Sequence, residues 1–346
     1  MFELIQKINA SSYKFSAALA GGGHSFTSFF DYSGASKSVV SINLLYATEE
    51  IDDFLGYNPT KYASLLTARR LATKSYMKCC HSIDKELAIG IGFSASLATS
   101  DERVGRTHKF FAAIHGFERS MTYELEINQG LTRQEEEFLC KNILFRLLNR
   151  YIFNVELQIM VPQHLIVEHT FSKTHRPNTT PIANKVRAIM PGSFNPFHIG
   201  HGRMLGIAQD ILDVEPYVEI TMLNADKGAI DYFDIQERIE KIPYTTLISE
   251  CKTFVEKARQ FENISGITVF IIGTDTWNRL LDEKYGYTQD ELFREFVKTK
   301  TRFLVFNRPG SERLKGQSNM ESLCIEDDRL NIDIAISSSE IRAQQE

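Results

Sequence analysis

In the second half of the chain, five apolar runs rich in Val, Ile and Phe recur at 186–190, 218–223, 267–272, 303–306 and 332–336. Runs of this kind suit strands buried on both faces, as in a parallel sheet. Helical patterns fill the intervals: 201–212, a segment opening at Asp234 with Glu237 three residues on, 249–261 and 274–285. Alternation of this sort predicts a doubly wound α/β domain. An open α/β sheet binds ligands beyond the carboxyl ends of its strands. Every run here delivers glycine, polar or charged residues at that end: GSFNPFHIGH at 192–201, NADK at 224–227, GTDTW at 273–277, NRPG at 307–310 and SSSEIR at 337–342.

A length of 346 residues exceeds what one hydrophobic core organises, which predicts two domains. The stretch before 186 contains KTHRPNTTPIANK, with two prolines and little periodicity, so a linker is expected over 171–185, between domains at 1–170 and 186–346. The first half reads as mixed α/β, with helices over 58–80 and 132–153 and strands over 88–93, 109–115, 123–127 and 156–161. Thr132 and Glu135 stand at capping-box spacing, and Gly21-Gly22-Gly23 marks a tight turn.

Lys and Arg number 39 against 44 Asp and Glu, a net charge of −5. Basic charge drives general nucleic-acid binding, so no nucleic-acid partner is expected. No apolar run is long enough for a membrane span, so no membrane partner is expected either. Cys79, Cys80, Cys140, Cys251 and Cys324 show no zinc spacing and read as thiols of a reducing compartment. Glu3, Lys7 and Lys14 surround only short apolar stretches, so no secretory signal is read and a cytoplasmic location is expected.

The segment 192–201 places a glycine turn and two histidines, three apart, at a strand-to-helix junction. His198 and His201 would project together from one helical turn. With the free N–H groups and positive dipole of the helix start, they make a pocket suited to a polyphosphate. A second phosphate device is ISSSEIR: Ser337 and Glu340 form a capping box, and Arg342 falls in the first turns.

GxxNPxHxGH followed by ISSxxIR resembles the nucleotidyltransferase superfamily that carries HxGH and ISSTxxR signatures. IIGTDTWNRLL and FLVFNRPG are similar to its nicotinamide or nicotinate mononucleotide adenylyltransferase branch. The resemblance implies a Rossmann-like fold and transfer of a nucleotidyl group from ATP or CTP to a phosphate-bearing acceptor, with Mg²⁺ bound to the phosphates. His198 and His201 would stabilise charge at the α-phosphorus. Gly192, Ser193, Phe194 and Gly200 would line the nucleotide, and Asp275 would hold ribose hydroxyls. Ser337, Ser338, Ser339 and Arg342 would meet the β,γ-phosphates. Lys227, Arg238, Thr274, Trp277 and Arg308 stand as further substrate contacts. Ser339 replaces the threonine of the signature, and no tryptophan clearly matches the one that stacks the pyridine ring in that branch. The reading is adenylyl transfer to nicotinamide mononucleotide in NAD biosynthesis. Nicotinate mononucleotide, phosphopantetheine, a CTP donor, or a non-catalytic nucleotide-binding regulator remain as alternatives.

In the first half, ALAGGG, SGASKSV, GFSASLAT and VGRTHKFFAAI resemble the CinA C-terminal domain, the nicotinamide-mononucleotide amidohydrolase family. That family carries its nucleophile in a Ser-Cys-Thr-Gly-Gly turn, where this chain has Ala18-Leu19-Ala20. Alanine offers no nucleophilic oxygen. The resemblance therefore implies a degenerate site that binds a nucleotide, supports a homo-oligomer or serves as a scaffold. Small-molecule nucleotides are the partners expected of both halves.

Overall fold

A computed structural model describes residues 2–99, 106–156, 161–178, 182, 184–224, 228–283, 286–307, 312–316, 318–332 and 341. The chain forms two compact units. The first holds residues 1–176 and 228–233; the second holds 177–227 and 234–346. The boundary between Arg176 and Pro177 lies within the span 171–185, whose first residues continue a strand through to His175. A six-residue piece of the later sequence also belongs with the first unit. It is anchored there by Asp231, whose carboxylate accepts from Arg69 Nε at 2.7 Å and Nη2 at 2.5 Å, and by Tyr232, whose hydroxyl donates to the Phe117 carbonyl.

The first unit comprises α1 (Phe2–Asn9), β1 (Lys14–Ala20), β2 (Val39–Leu45), α2 (Thr48–Leu55), α3 (Leu65–Cys79), β3 (Ala88–Ser96), β4 (His108–Gly116), β5 (Arg119–Ile127), α4 (Arg133–Phe153) and β6 (Ile166–His175). Its sheet runs β2-β1-β3-β4-β5-β6, with β1 parallel to β2 and β3 and the later pairs antiparallel. Phe15, Phe26, Phe29 and Phe145 interlock in its core, the Phe29 and Phe145 rings stacked at 5.7 Å. Thr132 and Glu135 complete the expected capping box of α4. The helix expected over 58–80 starts only at Leu65, where Ser64 caps it by accepting from the Thr67 N–H at 3.1 Å. No strand is found at the described ends of 156–161; residues 157–160 lie outside the described residues.

The second unit is built from β7 (Val186–Gly192), α5 (Ile199–Leu212), β8 (Tyr217–Thr221), the two-residue β9 (Leu223–Asn224), β11 (Thr246–Ser249), α7 (Phe254–Arg259), β12 (Ile267–Gly273), α8 (Thr274–Leu280), α9 (Gln289–Lys298), β13 (Thr301–Phe306) and α10 (Ser318–Glu321). The equally short β10 (Gly228–Ala229) precedes α6 (Tyr232–Ile239). Five parallel strands are ordered β11-β8-β7-β12-β13. The doubly wound parallel sheet is therefore present, but its edge strand β11 comes from 246–249, beside the segment expected to be helical. The expected strand over 332–336 lies outside the described residues beyond Ile332. Asp234 does not cap α6; the helix begins two residues earlier and Asp234 sits inside its first turn.

A buried pair that the sequence reading did not single out fixes the sheet against α7. Lys257 Nζ donates to both carboxylate oxygens of Glu219, at 2.7 and 2.8 Å, while Thr221 donates to the same carboxylate at 2.8 Å. Among the described residues, no helix is long and apolar enough to cross a membrane.

Candidate active site at the carboxyl edge of the second sheet

The chain enters the second sheet at its centre. From β7 it moves outward through β8 to β11, then returns to the other side of β7 as β12 and β13. The reversal places the switch point at the carboxyl ends of β7 and β12, where an α/β sheet opens a crevice. The segments 192–201 and 273–277 leave the sheet at these two ends.

Gly192 closes β7; a Cβ there would lie 2.7 Å from Phe194 Cζ, so a larger residue would have to displace the ring. The Phe194 ring folds back under the strand end, only 2% exposed, with its backbone at φ +43°. Asn195–Pro196 is a cis peptide. Arg238, on α6, donates from Nη1 to the Ser193 carbonyl oxygen at 2.9 Å.

His198 is the N-cap of α5, in extended conformation, and Gly200 behind it is buried. The His198 N–H donates to His201 Nδ1 at 3.3 Å, and the His201 N–H donates to the His198 carbonyl at 2.9 Å. The rings stack with centroids 3.7 Å apart and planes at 23°. Since Nδ1 of His201 accepts, the neutral ring carries its proton on Nε2, a donor for a phosphate oxygen. Phe194 meets His201 edge-on at 4.9 Å and Phe197 lies 5.4 Å from it. Phe197 was not among the residues read from the sequence. An aromatic next to a histidine carries no pattern of its own; only the loop path brings it there.

At the end of β12, Thr274 is fully buried and donates from Oγ1 to the Phe306 carbonyl at 3.1 Å, tying the start of α8 to the end of β13. Thr274 is thus a structural tie, contrary to its expected substrate contact. Asp275 follows it, exposed on the first turn of α8. Trp277 corrects another expectation. It is 0% exposed, its indole N–H donates to the Leu314 carbonyl at 3.2 Å, Phe303 packs edge-on at 5.6 Å and the Arg313 guanidinium lies 5.2 Å from its ring. A ring so enclosed presents no face to a substrate. Lys227, Arg308, Ser337, Ser338, Ser339 and Arg342 lie outside the described residues.

The first unit has its own polar cluster at the carboxyl ends of β1 and β3. Gly21 turns there with φ +73°, and a Cβ would lie 2.3 Å from the Ala95 carbonyl oxygen. Glu136 and Glu137, adjacent and buried near the start of α4, each grip one loop. Glu137 accepts from the Gly23 N–H at 2.9 Å, and Glu136 from the Ala98 N–H at 2.6 Å. Each also meets a histidine: Glu137 with His24 at 3.1 Å, and Glu136 with buried His108. Ala18, which the sequence resemblance aligns with a nucleophile, is fully buried in β1, in one apolar cluster with Leu45, Ile51 and Leu71.

No curated protein matches the chain. Several solved structures share a likeness to it. A competence-damaged protein (CinA) superfamily protein from Escherichia coli is 14% identical with a TM-score of 0.34, over 43% of this chain and 86% of that one. Another from Enterobacter cloacae is 13% identical with a TM-score of 0.35, over 43% and 90%. The competence/damage inducible protein CihA from Agrobacterium tumefaciens is 15% identical with a TM-score of 0.34, over 42% and 92%. Residues 189–344 match the cytidylyltransferase-like family. That span begins inside β7 and takes in the histidine loop and the switch point, so the likeness to the cytidylyltransferase-like family falls on the second unit.

Proposed function

We propose that the chain transfers an adenylyl group from ATP to the phosphate of nicotinamide mononucleotide, forming NAD and releasing pyrophosphate. The observation that carries the reading is the stacked His198–His201 pair at the start of α5, placed at the switch point of a nucleotidyltransferase-family domain. An oxygen of the acceptor phosphate attacks the α-phosphorus in line. The bond from that phosphorus to the oxygen bridging it to the β-phosphorus breaks, and pyrophosphate departs with the electron pair. No covalent enzyme intermediate is needed; positioning and charge stabilisation supply the rate.

His201 Nε2–H and the N-terminal N–H groups of α5 would donate to α-phosphate oxygens as charge builds there. Asp275, exposed at the head of α8, would accept from ribose hydroxyls. Ser337, Ser338, Ser339 and Arg342 are assigned to the β,γ-phosphates, and Lys227 and Arg308 to substrate phosphates, on resemblance alone. Mg²⁺ would arrive on the triphosphate and neutralise part of its charge. The matched family favours CTP as the alternative donor. For the first unit, Ala18 in the nucleophile position argues against amide hydrolysis. Five free cysteines and nucleotide substrates fit a cytoplasmic setting.

The test pairs ATP or CTP with nicotinamide mononucleotide, nicotinate mononucleotide or phosphopantetheine, using the full chain and following pyrophosphate release with mass detection of the product. NAD formation from ATP and nicotinamide mononucleotide, above all other pairs, is expected. A different preferred pair replaces donor or acceptor. No release with any pair leaves the regulator alternative.

A further inference from the structure

We propose that Arg238 is a positioning residue: by holding the Ser193–Phe194 peptide group it fixes the ring that sets His201. Nη1 of Arg238 donates to the Ser193 carbonyl oxygen at 2.9 Å. That carbonyl belongs to the peptide group ending at the Phe194 nitrogen, so its direction is coupled to rotation about the Phe194 N–Cα bond. Phe194 sits at φ +43°, in the left-handed region that a residue with a bulky side chain enters only when its surroundings enforce it.

Two contacts enforce it. One is the charge-assisted hydrogen bond from Arg238, stronger than a neutral one. The other is burial of the Phe194 ring beneath Gly192, the strand end where a Cβ would press on that ring. The ring so placed meets His201 edge-on at 4.9 Å. Freed from Arg238, the carbonyl can turn, residue 194 can return to negative φ, and the ring leaves His201. The imidazole then loses this edge-on contact and keeps those with His198 and Phe197. The sequence resemblance placed Arg238 against substrate phosphates; the geometry ties its Nη1 to the loop backbone.

The kinetic part of the test rests on the nucleotidyl-transfer reading; the spectroscopic part does not. The full chain is compared as wild type, Arg238→Lys and Arg238→Ala, with Arg238→Met as the second variant should Arg238→Ala not fold. In spectra of histidine-labelled protein, the His201 ring signals are assigned through His201→Gln and the ring-current shift due to Phe194 is calibrated with Phe194→Leu. Removing the guanidinium should move the His201 signals toward their positions in Phe194→Leu, while Arg238→Lys, which can still donate to the Ser193 carbonyl, keeps most of the wild-type shift. In turnover, kcat should fall about 10- to 100-fold, with KM for the triphosphate altered far less and with recovery in Arg238→Lys. Unmoved His201 signals in Arg238→Ala and Arg238→Met overturn the proposal. So does a raised KM with kcat intact, which would return Arg238 to direct substrate contact. If the wild type releases no pyrophosphate, the transfer reading fails and the ring signals alone decide the role of Arg238.

Discussion

His198 and His201 hold each other: the N–H of the first donates to Nδ1 of the second at 3.3 Å, and their rings stack at 3.7 Å. A helix N-cap and its third residue make this reciprocal arrangement with Ser or Thr and Glu elsewhere in the chain, at Thr132–Glu135, Thr253–Glu256 and Thr288–Glu291. At α5 the same geometry is built from two imidazoles. The cap that starts the helix is therefore also the group that faces the crevice, and helix formation and site formation are one event.

Replacing either histidine with alanine should lower kcat for pyrophosphate release by at least ~100-fold, since each is assigned to charge that develops in the transition state. His201→Ala removes the acceptor for the cap N–H, so a small loss of α5 stability accompanies it. Steady-state kinetics beside circular dichroism separates the two effects. Near-wild-type turnover in the folded double variant would remove the pair from the chemistry.

Trp277 should behave as a core residue. Trp277→Ala is expected to cost about 3–5 kcal/mol in denaturant unfolding, whereas Trp277→Phe keeps an aromatic against Phe303 and loses the hydrogen bond to the Leu314 carbonyl. Neither should alter selection among acceptors in the folded protein. A large change in acceptor KM for Trp277→Phe with stability unaltered would contradict the buried placement.

Restoring a serine at position 18 should not restore amidase activity. Ala18 is fully buried among Leu45, Ile51 and Leu71, so the hydroxyl would enter an apolar layer at a cost of roughly 1–3 kcal/mol. Ammonia release from nicotinamide mononucleotide should stay at background for both the wild type and Ala18→Ser. Release by Ala18→Ser alone would show that strand β1 opens enough to expose that position, and release by the wild type would place a nucleophile elsewhere in the first unit.

At alkaline pH the first unit should unfold first through its tyrosines. Tyr123 is buried on β5 with no hydrogen-bond partner for its hydroxyl among the described residues, and burial pushes its pKa up from 10 to about 12. Burial also raises Tyr151. The folded value exceeds the unfolded one, so this contribution to stability is complete below pH 10 and is lost as pH rises from 10 through 12. Unfolding midpoints measured from pH 8 to 12 should fall over that window, and less steeply in Tyr123→Phe. An identical slope in the variant would assign the loss to other groups.

The alternation of apolar runs with helical patterns determined the parallel sheet, because a strand buried on both faces must be apolar along its whole length. The local pattern of 192–201 likewise determined that two histidines share one helical turn, since i and i+3 spacing needs no information from elsewhere in the chain. The capping box at Thr132–Glu135 was legible for the same reason, whereas Asp234 and Glu237 have the spacing without Asp234 becoming the cap. What lay beyond sequence was every contact between distant segments. TLIS at 246–249 is too short for periodicity to distinguish it from a helix start, and pairing with β8 makes it a strand. Trp277 sits in a motif beside the site, yet Leu314, Phe303 and Arg313 enclose it from other elements. Arg238 is one more basic residue on a helix until the fold brings it within 2.9 Å of Ser193. Local spacing states which side chains share a face; only the packed chain decides which of them meet a ligand and which meet each other.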